Sequence, residues 1–302
     1  MRRESDLAEF LDVENYELTR QDPFFRTYAS PISDYYLISY NLADPFMSDR
    51  KVRLAIAHAL DKKNLIRHLE KGYGAEAAGP FGSRSWAFNP EVKPFPYDPA
   101  AALDLLKEAG WKDTDGDDIQ DKAGKKLVIR MLVHERNEKL KRMAMFIRQN
   151  LQEIGVKLEI CLYDNVNDIA RLMSSGMYQS ILTFFPAPSF DPNEIIKFWH
   201  SADQRTRQVQ AHLEPNSELD RLIRLGAVTS DRTTRQKIYR DIHRIIYEEQ
   251  PACFLYFPFN FHAVSKRFAN TDEFLGSPYM PDHYIKNFII DDHAFMDEGG
   301  GE

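Results

Sequence analysis

The densest group of chemically active side chains is an acidic stretch, DTDGDDIQD, at residues 113–121. It places five carboxylates around one glycine, and calcium prefers carboxylate oxygens as ligands. Counted as an EF-hand loop from Asp113, the stretch supplies acidic residues at positions 1, 3, 5 and 9. Position 6 is Asp118 where the loop needs glycine, and position 12 is Gly124 where it needs a bidentate glutamate. The count favours a solvated Asp/Gly turn, with a calcium site as the alternative.

Patterns typical of enzymes are absent from the sequence. The run FGSRSW (81–86) lacks the second glycine of G-x-S-x-G, HERNE (134–138) is not H-E-x-x-H, and no P-loop or dinucleotide fingerprint occurs. His200, at the end of a predicted helix, is interpreted as a partly buried structural residue, with a metal ligand as the alternative. We therefore predict no catalytic residue, no cofactor and no metal. A hydrolase assembled from dispersed carboxylates is the least favoured function.

Composition narrows the class of protein. The 302 residues carry a formal net charge of −7, which argues against nucleic-acid binding. No run of about 18 apolar residues occurs, so we expect no membrane span. The first residues, MRRESDLAEFLDVENY, lack the apolar core of a signal peptide. Cys161 and Cys253 lack metal-ligand spacing and are predicted to be buried small hydrophobic residues.

Predicted strands and helices, which must position any site, alternate along the chain. An irregular first stretch precedes a strand at 34–41, and one helix is predicted from Ser48 to Gly72, where Asp49 lies in the first turn. A second helix begins with Asp98 as cap and Pro99 at its first position, and it ends at Gly110. The later segments follow as strand 125–133, helix 137–155, strand 156–164, helix 166–176, strand 178–185, a helix in DPNEIIKFWHS, helices from Ser217 and Ser230, and strand-like runs 251–259 and 261–266. This order predicts βαβ units in an α/β fold.

Several of these segments together resemble a known family. YLISYNLADPFMSDRKVRLAIAHALDKKNLI (36–66) looks like the hallmark of the family 5 extracellular solute-binding proteins of ABC importers. The helix, Gly-Trp and acidic turn of YDPAAALDLLKEAGWKDTDGDDIQDKAGKKL are similar to the next block of that family. FDPNEIIKFWHS, ELDRLI and DRTTRQKIYRDIHRIIYEEQPACFLYF follow in the family's order. The resemblance covers about residues 30–290.

The resemblance implies an architecture. We expect a periplasmic-binding-protein-like α/β lobe, with a mixed sheet flanked by helices, at residues 41–250. Residues 1–40 would be an irregular hinge and a remnant of a first lobe, and 251–302 would be strands that return to that lobe. Family members are much longer, so the chain is expected to be the C-terminal half, without the signal peptide and the first lobe.

The resemblance also implies a function. A non-catalytic binding lobe would capture a small solute (a peptide, metal chelate or sugar) in an interlobe cleft and deliver it to an ABC permease. The protein is expected to be a monomer outside the cytoplasmic membrane. A regulatory or sensor domain that uses the same lobe is the alternative.

The ligand-facing stretch is expected at FFPAPSFDP, residues 184–192. Peptide-binding relatives end a strand here with Trp-x-x-Asp, and that aspartate pairs with the peptide's α-amino group. In this sequence Phe185 takes the aromatic position and Pro188 stands in place of the aspartate, so a peptide amine held in that way is in doubt. The residues predicted to line the cleft are Phe185, Pro188, Ser189 and Phe190, although Phe185 and Phe190 also fit plain core aromatics.

Four further residues receive structural interpretations. Asp191 is predicted to cap the helix that begins at Pro192. Tyr40 and Asn41 are expected to be hinge or scaffold residues, and Arg53 is expected to form an internal ion pair.

Overall fold

The computed structural model describes residues 6–9, 11–174, 178–187, 191–201 and 217–271. Its strands are β1 (Leu7–Ala8), β2 (Phe25–Pro31), β3 (Tyr35–Tyr40), β4 (Gly74–Glu76), β5 (Asp121–Lys122), β6 (Lys125–Lys126), β7 (Val128–His134), β8 (Lys157–Tyr163), β9 (Ser180–Phe185) and β10 (Ala252–Ser265). Its helices are α1 (Val13–Thr19), α2 (Arg50–Ala59), α3 (Lys62–Glu70), α4 (Pro99–Glu108), α5 (Glu138–Glu153), α6 (Val166–Ser174), α7 (Pro192–Ile196), α8 (Glu218–Val228) and α9 (Arg232–Glu249). A 3-10 turn, Lys197–Trp199, follows α7.

The chain divides into two units. The small unit comprises Met1–Ile32, Tyr73–Ala75 and Pro258–Glu302. In it, β1 and β2 both pair antiparallel with the later residues of β10, and the rings of Tyr16, Tyr73 and Phe261 pack together.

The large unit comprises Ser33–Gly72 and Glu76–Phe257 and contains a mixed sheet. Its strand order is β10–β3–β9–β7–β8. β7 pairs parallel with both β8 and β9, whereas β3 pairs antiparallel with β9 and β10. Parallel strands covered on both faces have near-continuous apolar runs, and LVIRMLV at β7 is such a run apart from Arg130, whose side chain is exposed. The α/β fold predicted from the sequence is confirmed.

Helices cover both faces of this sheet. Alternate residues of a strand point to opposite faces, so Ile129, Met131 and Val133 of β7 pack against α2, α3, α4 and α5, while Leu132 packs toward α6 on the other face. Trp199, after α7, is fully buried and lies 5.2 Å from the ring of Phe254 in β10. Helices therefore pack on both faces of the sheet.

The structure corrects several local predictions. The single helix predicted from Ser48 to Gly72 is two helices, because Leu60 is extended and the Asp61 carboxylate caps α3 by accepting from the Asn64 N–H. The stretch before Asp34 is not irregular, since it contains α1 and β2. The two strand-like runs at 251–266 form one strand with an irregularity between Phe254 and Tyr256.

Some of the remaining structural predictions are confirmed and others are wrong. Asp98 and Pro99 start α4 as predicted. Cys253 is buried but Cys161 is only partly buried, and both thiols are free. Asn41 is buried and its amide donates to the Tyr178 carbonyl, which fits a scaffold role.

A neutral histidine lies in the core of the large unit. The His243 side chain is fully buried beside the rings of Phe81 and Phe88, and its Nδ1 accepts from the Asn89 N–H at 3.2 Å. Burial lowers the pKa of His243 to about 4. Gly79 packs against this ring so closely that an added Cβ would lie 2.4 Å from Cδ2 and Nε2.

We predict that Gly79→Ala lowers the free energy of unfolding by about 1–3 kcal/mol, because the new methyl group overlaps a buried ring that has no room to move. Urea denaturation measures the change. Gly82→Ala is the matched control, since its Cβ would meet Phe257 at an ordinary 3.6 Å. Equal stability of the two variants would contradict the packing described here.

His243 also predicts a pH dependence of stability. Between its ordinary pKa near 6.5 and its folded pKa of about 4, the unfolded chain binds a proton that the folded chain does not. The folded state is therefore fully stabilised above pH 6.5 and loses roughly 3 kcal/mol as the pH falls to 4. Urea unfolding across this range measures the loss. His243→Gln keeps an acceptor for Asn89 but does not titrate, so its pH profile should be flatter; an unchanged slope would refute the assignment.

Candidate functional site

The predicted ligand-facing stretch begins where β9 ends, at the carboxyl edge of the sheet in the large unit. There Phe184 and Phe185 pair in register with Tyr36 and Tyr35, at the start of the antiparallel β3. In open α/β sheets, ligands bind outside the carboxyl ends of the strands. We call residues 34–36 and 184–187 the carboxyl edge.

Phe185, the one predicted cleft residue that the structure describes, belongs to an aromatic cluster. Its ring stacks on Tyr35 at 5.1 Å between centroids and meets Phe198 edge-on at 5.2 Å. The side chain is partly buried, so it both packs against the cluster and keeps an exposed surface. Pro188, Ser189 and Phe190 lie outside the described residues.

Asp191 caps α7 as predicted, and its carboxylate accepts from the Asn193 N–H at 2.9 Å. It also pairs with the Arg235 guanidinium at 2.7 Å. Arg235 donates in addition to the Gly226 carbonyl and the Tyr239 hydroxyl. A pocket of about 270 Å³ lies beside this pair, lined by Trp86, Asp191, Ser230, Arg232 and Arg235. Asp191 therefore connects the start of α7 to the first turns of α9.

A polar network around a buried carboxylate lies on the Tyr36 side of the edge, and no local sequence pattern indicated it. Glu70 is buried, and its carboxylate accepts from Lys139 at 2.9 Å and from the Tyr256 hydroxyl at 2.6 Å. The Lys139 ammonium lies 5.8 Å from the centre of the Tyr36 ring. Burial lowers the pKa of Lys139, but Tyr36 and Glu70 outweigh it and raise that pKa above its ordinary value. The buried Glu70 carboxylate thus has two partners, whereas the Lys139 side chain remains 42% exposed.

A carboxylate that sequence reasoning missed lies at the edge itself. Asp34 precedes β3, and its Oδ1 accepts from the Ala187 N–H at 2.8 Å. Burial raises the pKa of Asp34, and the bond from Ala187 opposes that shift only in part. The two residues are 153 positions apart in the chain, so no local pattern could have found the contact.

The structural predictions for His200 and Arg53 differ in outcome: the first is confirmed and the second is wrong. His200 is partly buried at the end of the 3-10 turn, as predicted, and its Nε2 lies 2.9 Å from an Arg224 guanidinium nitrogen. Arg53 forms no internal ion pair within the described chain; its guanidinium donates to four backbone carbonyls. The ion-pair prediction was wrong because backbone carbonyls, two at the end of α9 and two just before α2, take the place of a carboxylate.

The acidic stretch forms a turn between α4 and the β5–β6 hairpin. Carboxylate oxygens of Asp113, Asp115 and Asp117 lie within 4.8 Å of one another. The Lys126 ammonium binds Asp115 and Asp117, at 2.7 Å for the latter, and its hydrogen bond is the main cause of the lowered pKa of Asp117. Asp113 accepts from the backbone N–H groups of Gly116 and Asp118. The carboxylates are thus already engaged by a cation and by the backbone of the turn.

We predict that calcium chloride leaves the Tm unchanged, because a calcium ion would have to displace the Lys126 ammonium. Thermal unfolding with and without millimolar calcium tests this, since a ligand bound only by the folded state raises the Tm. Lys126→Gln is the comparison variant, and calcium should stabilise it more than the parent chain. A clear rise in the parent's Tm would restore the calcium interpretation.

Comparison with known proteins agrees with this architecture. The model for "Bacterial extracellular solute-binding proteins, family 5 Middle" matches residues 1–206. The oligopeptide-binding protein AppA of Bacillus subtilis is 28% identical over 243 residues, 76% of this chain and 42% of that protein. The nickel-binding periplasmic protein of Escherichia coli is 26% identical over 271 residues, 90% of this chain and 50% of that protein. The chain therefore spans about half the length of these relatives.

Solved structures share the fold. NikA from Brucella suis, in complex with Fe(III)-EDTA, superposes with a TM-score of 0.76 at 24% identity, covering 88% of this chain and 54% of that one. HbpA2 from Haemophilus parasuis gives a TM-score of 0.78 at 21% identity, covering 92% of this chain and 52% of that one. At these identities the likeness concerns the fold alone.

Proposed function

We propose that this chain, which belongs to family 5 of the bacterial extracellular solute-binding proteins, is part of the substrate-binding component of an ABC importer. The family-model match over residues 1–206 carries the proposal. Family members are binding proteins, and the chain would accordingly act by binding rather than by catalysis. Its partners would be a small solute and an ABC permease.

The carboxyl edge supports a role in solute binding. Aromatic rings from β3 and β9 meet there, and the Phe185 ring keeps part of its surface exposed. Rigid aromatic side chains offer a large contact area at a low cost in conformational entropy. The residues proposed to line the solute site remain Phe185, Pro188, Ser189 and Phe190.

The solute would be a peptide or another small molecule such as a metal chelate or a sugar. Pro188 stands where peptide-binding relatives are expected to place a carboxylate, so a peptide amine would need a different anionic partner. Relatives of this chain carry names that include oligopeptide-binding, nickel-binding and heme-binding proteins. We propose capture in a cleft that closes around the solute, as hinge-closing binding proteins do.

The proposed location and assembly are those expected of a member of this family. Its members are extracellular or periplasmic, and we propose the same location and a monomeric state for the protein that carries this chain. No helix in the described part of the chain is long and apolar enough to cross a membrane.

The proposal predicts that the protein carrying this chain, at its full length, enriches a small solute from a bacterial metabolite extract and releases it chemically unchanged. Mass spectrometry of the molecules freed by denaturation measures the enrichment. The same protein unfolded before exposure to the extract is the control. Failure to enrich any solute would contradict transport binding, and chemical conversion of the solute would point to an enzyme.

A further inference from the structure

The outer surface of α3 and α5 is basic, although the chain as a whole is acidic. Residues 62–71 and 138–153 contain eight lysines or arginines and three glutamates, whereas the whole chain has 39 lysines and arginines and 46 acidic residues. The two helices pack against each other in the large unit. A local excess of one charge attracts a partner of the opposite charge.

The three glutamates of these helices are already engaged. Glu70 is buried and held by the network described above. Glu138 binds Lys141 at 2.6 Å. Glu153, at the other end of α5, accepts from the Tyr97 hydroxyl at 2.6 Å. These carboxylates therefore leave the remaining cations of the surface without compensation.

Three arginines of the surface are exposed and lack an acidic partner. Arg67 lies on α3, and Arg142 and Arg148 lie on α5. Among the residues that the structure describes, none of the three guanidinium groups has an ion pair or a hydrogen bond with a protein acceptor. Asp117 and Asp118 share a depression with Arg148 but form no ion pair with it. These cations are free to meet an external anion.

A groove between the two helices places apolar side chains among the arginines. Its volume is about 470 Å³, and its lining includes His68, Leu69, Arg142, Met145, Phe146 and Arg148. Met145 is three residues from each arginine on α5, and residues three apart share one face of a helix. Its side chain is 49% exposed. The groove is therefore apolar at its centre and cationic on either side.

This arrangement suits the surface of an anionic membrane. Guanidinium groups bind phosphate oxygens in a bidentate manner, and clusters of basic residues are attracted to anionic lipids. Apolar side chains among such cations contact the boundary between headgroups and acyl chains. An acidic protein segment would also attract arginines, but here the cations are spread over two helices, which matches a plane of phosphates better than a single chain.

We propose that the outer surface of α3 and α5, with Met145 between Arg142 and Arg148 at its centre, binds the phosphate headgroups of an anionic phospholipid membrane. The binding is peripheral and weakens as salt screens the charges. It goes beyond solute binding, and it rests on the proposed function only for the presence of a membrane nearby. The surface would keep the large unit close to the membrane that contains the permease.

Co-sedimentation with lipid vesicles tests the surface on the protein that carries this chain, at its full length. We expect at least tenfold tighter binding to vesicles that contain equal parts of phosphatidylglycerol and phosphatidylcholine than to vesicles of phosphatidylcholine alone. Combining Arg142→Gln with Arg148→Gln should weaken binding to the anionic vesicles about tenfold, because each basic residue adds to the attraction. Met145→Gln should weaken it without changing the charge.

The matched control removes the same charge elsewhere in the large unit. Arg221 and Arg244 are exposed arginines of α8 and α9, and each is paired with a glutamate of its own helix. Combining Arg221→Gln with Arg244→Gln should leave binding to the anionic vesicles intact. Thermal unfolding checks that both double variants are folded, and the comparison of the two kinds of vesicle on the parent protein needs no variant.

Several results would overturn the surface. These are equal binding to the two kinds of vesicle, binding to neither, or an equal loss of binding in the two double variants. Binding to polyglutamate without binding to anionic vesicles would also overturn it and would assign the arginines to an acidic protein. Vesicle binding without enrichment of any solute from the extract would uphold the surface and reject the transport function. Enrichment of a solute without vesicle binding would do the reverse.

Discussion

The large unit depends on one buried guanidinium. Arg53 in α2 is 5% exposed, and it donates to the carbonyls of Met47, Ser48, Glu249 and Gln250 at 2.6–3.0 Å. Burial lowers the pKa of Arg53, yet arginine stays charged in proteins. The last carbonyls of a helix lack partners and carry partial negative charge, so the end of α9 provides two of the four acceptors, and the turn before α2 provides the other two. One side chain thus fixes the start of one helix and the end of another.

That connection is linked to the carboxyl edge through two neighbouring strands. β10 begins at Ala252, two residues after the Gln250 carbonyl that Arg53 holds. β10 then pairs with β3, and β3 pairs with β9, so the position of each strand follows from the one before it. The end of α9 is therefore connected, through β10 and β3, to the place where Tyr35 and Phe185 meet.

Features that depend on residues close together in the sequence could be predicted, whereas contacts between residues far apart in the sequence could not. Helix starts at Asp98 and Asp191 were predictable because a cap acts over three residues. The apolar periods of α5 and β7 were predictable because they are local as well. The bond from Tyr256 to Glu70 spans 186 residues, and nothing near either residue marks it. Arg53 shows the same limit, since the sequence indicated a buried cation but not that backbone carbonyls would be its partners.

The two carboxylates near the edge differ in how their charges are compensated. Glu70 has an ammonium and a hydroxyl as partners, so its network closes on itself and serves to hold α3, α5 and β10 together. Asp34 has one backbone N–H and no cation among the side chains that the structure describes. Asp34 is only partly buried, so water around its exposed part compensates the charge that one backbone N–H leaves. Glu70 is 6% exposed and depends on its two side-chain partners instead.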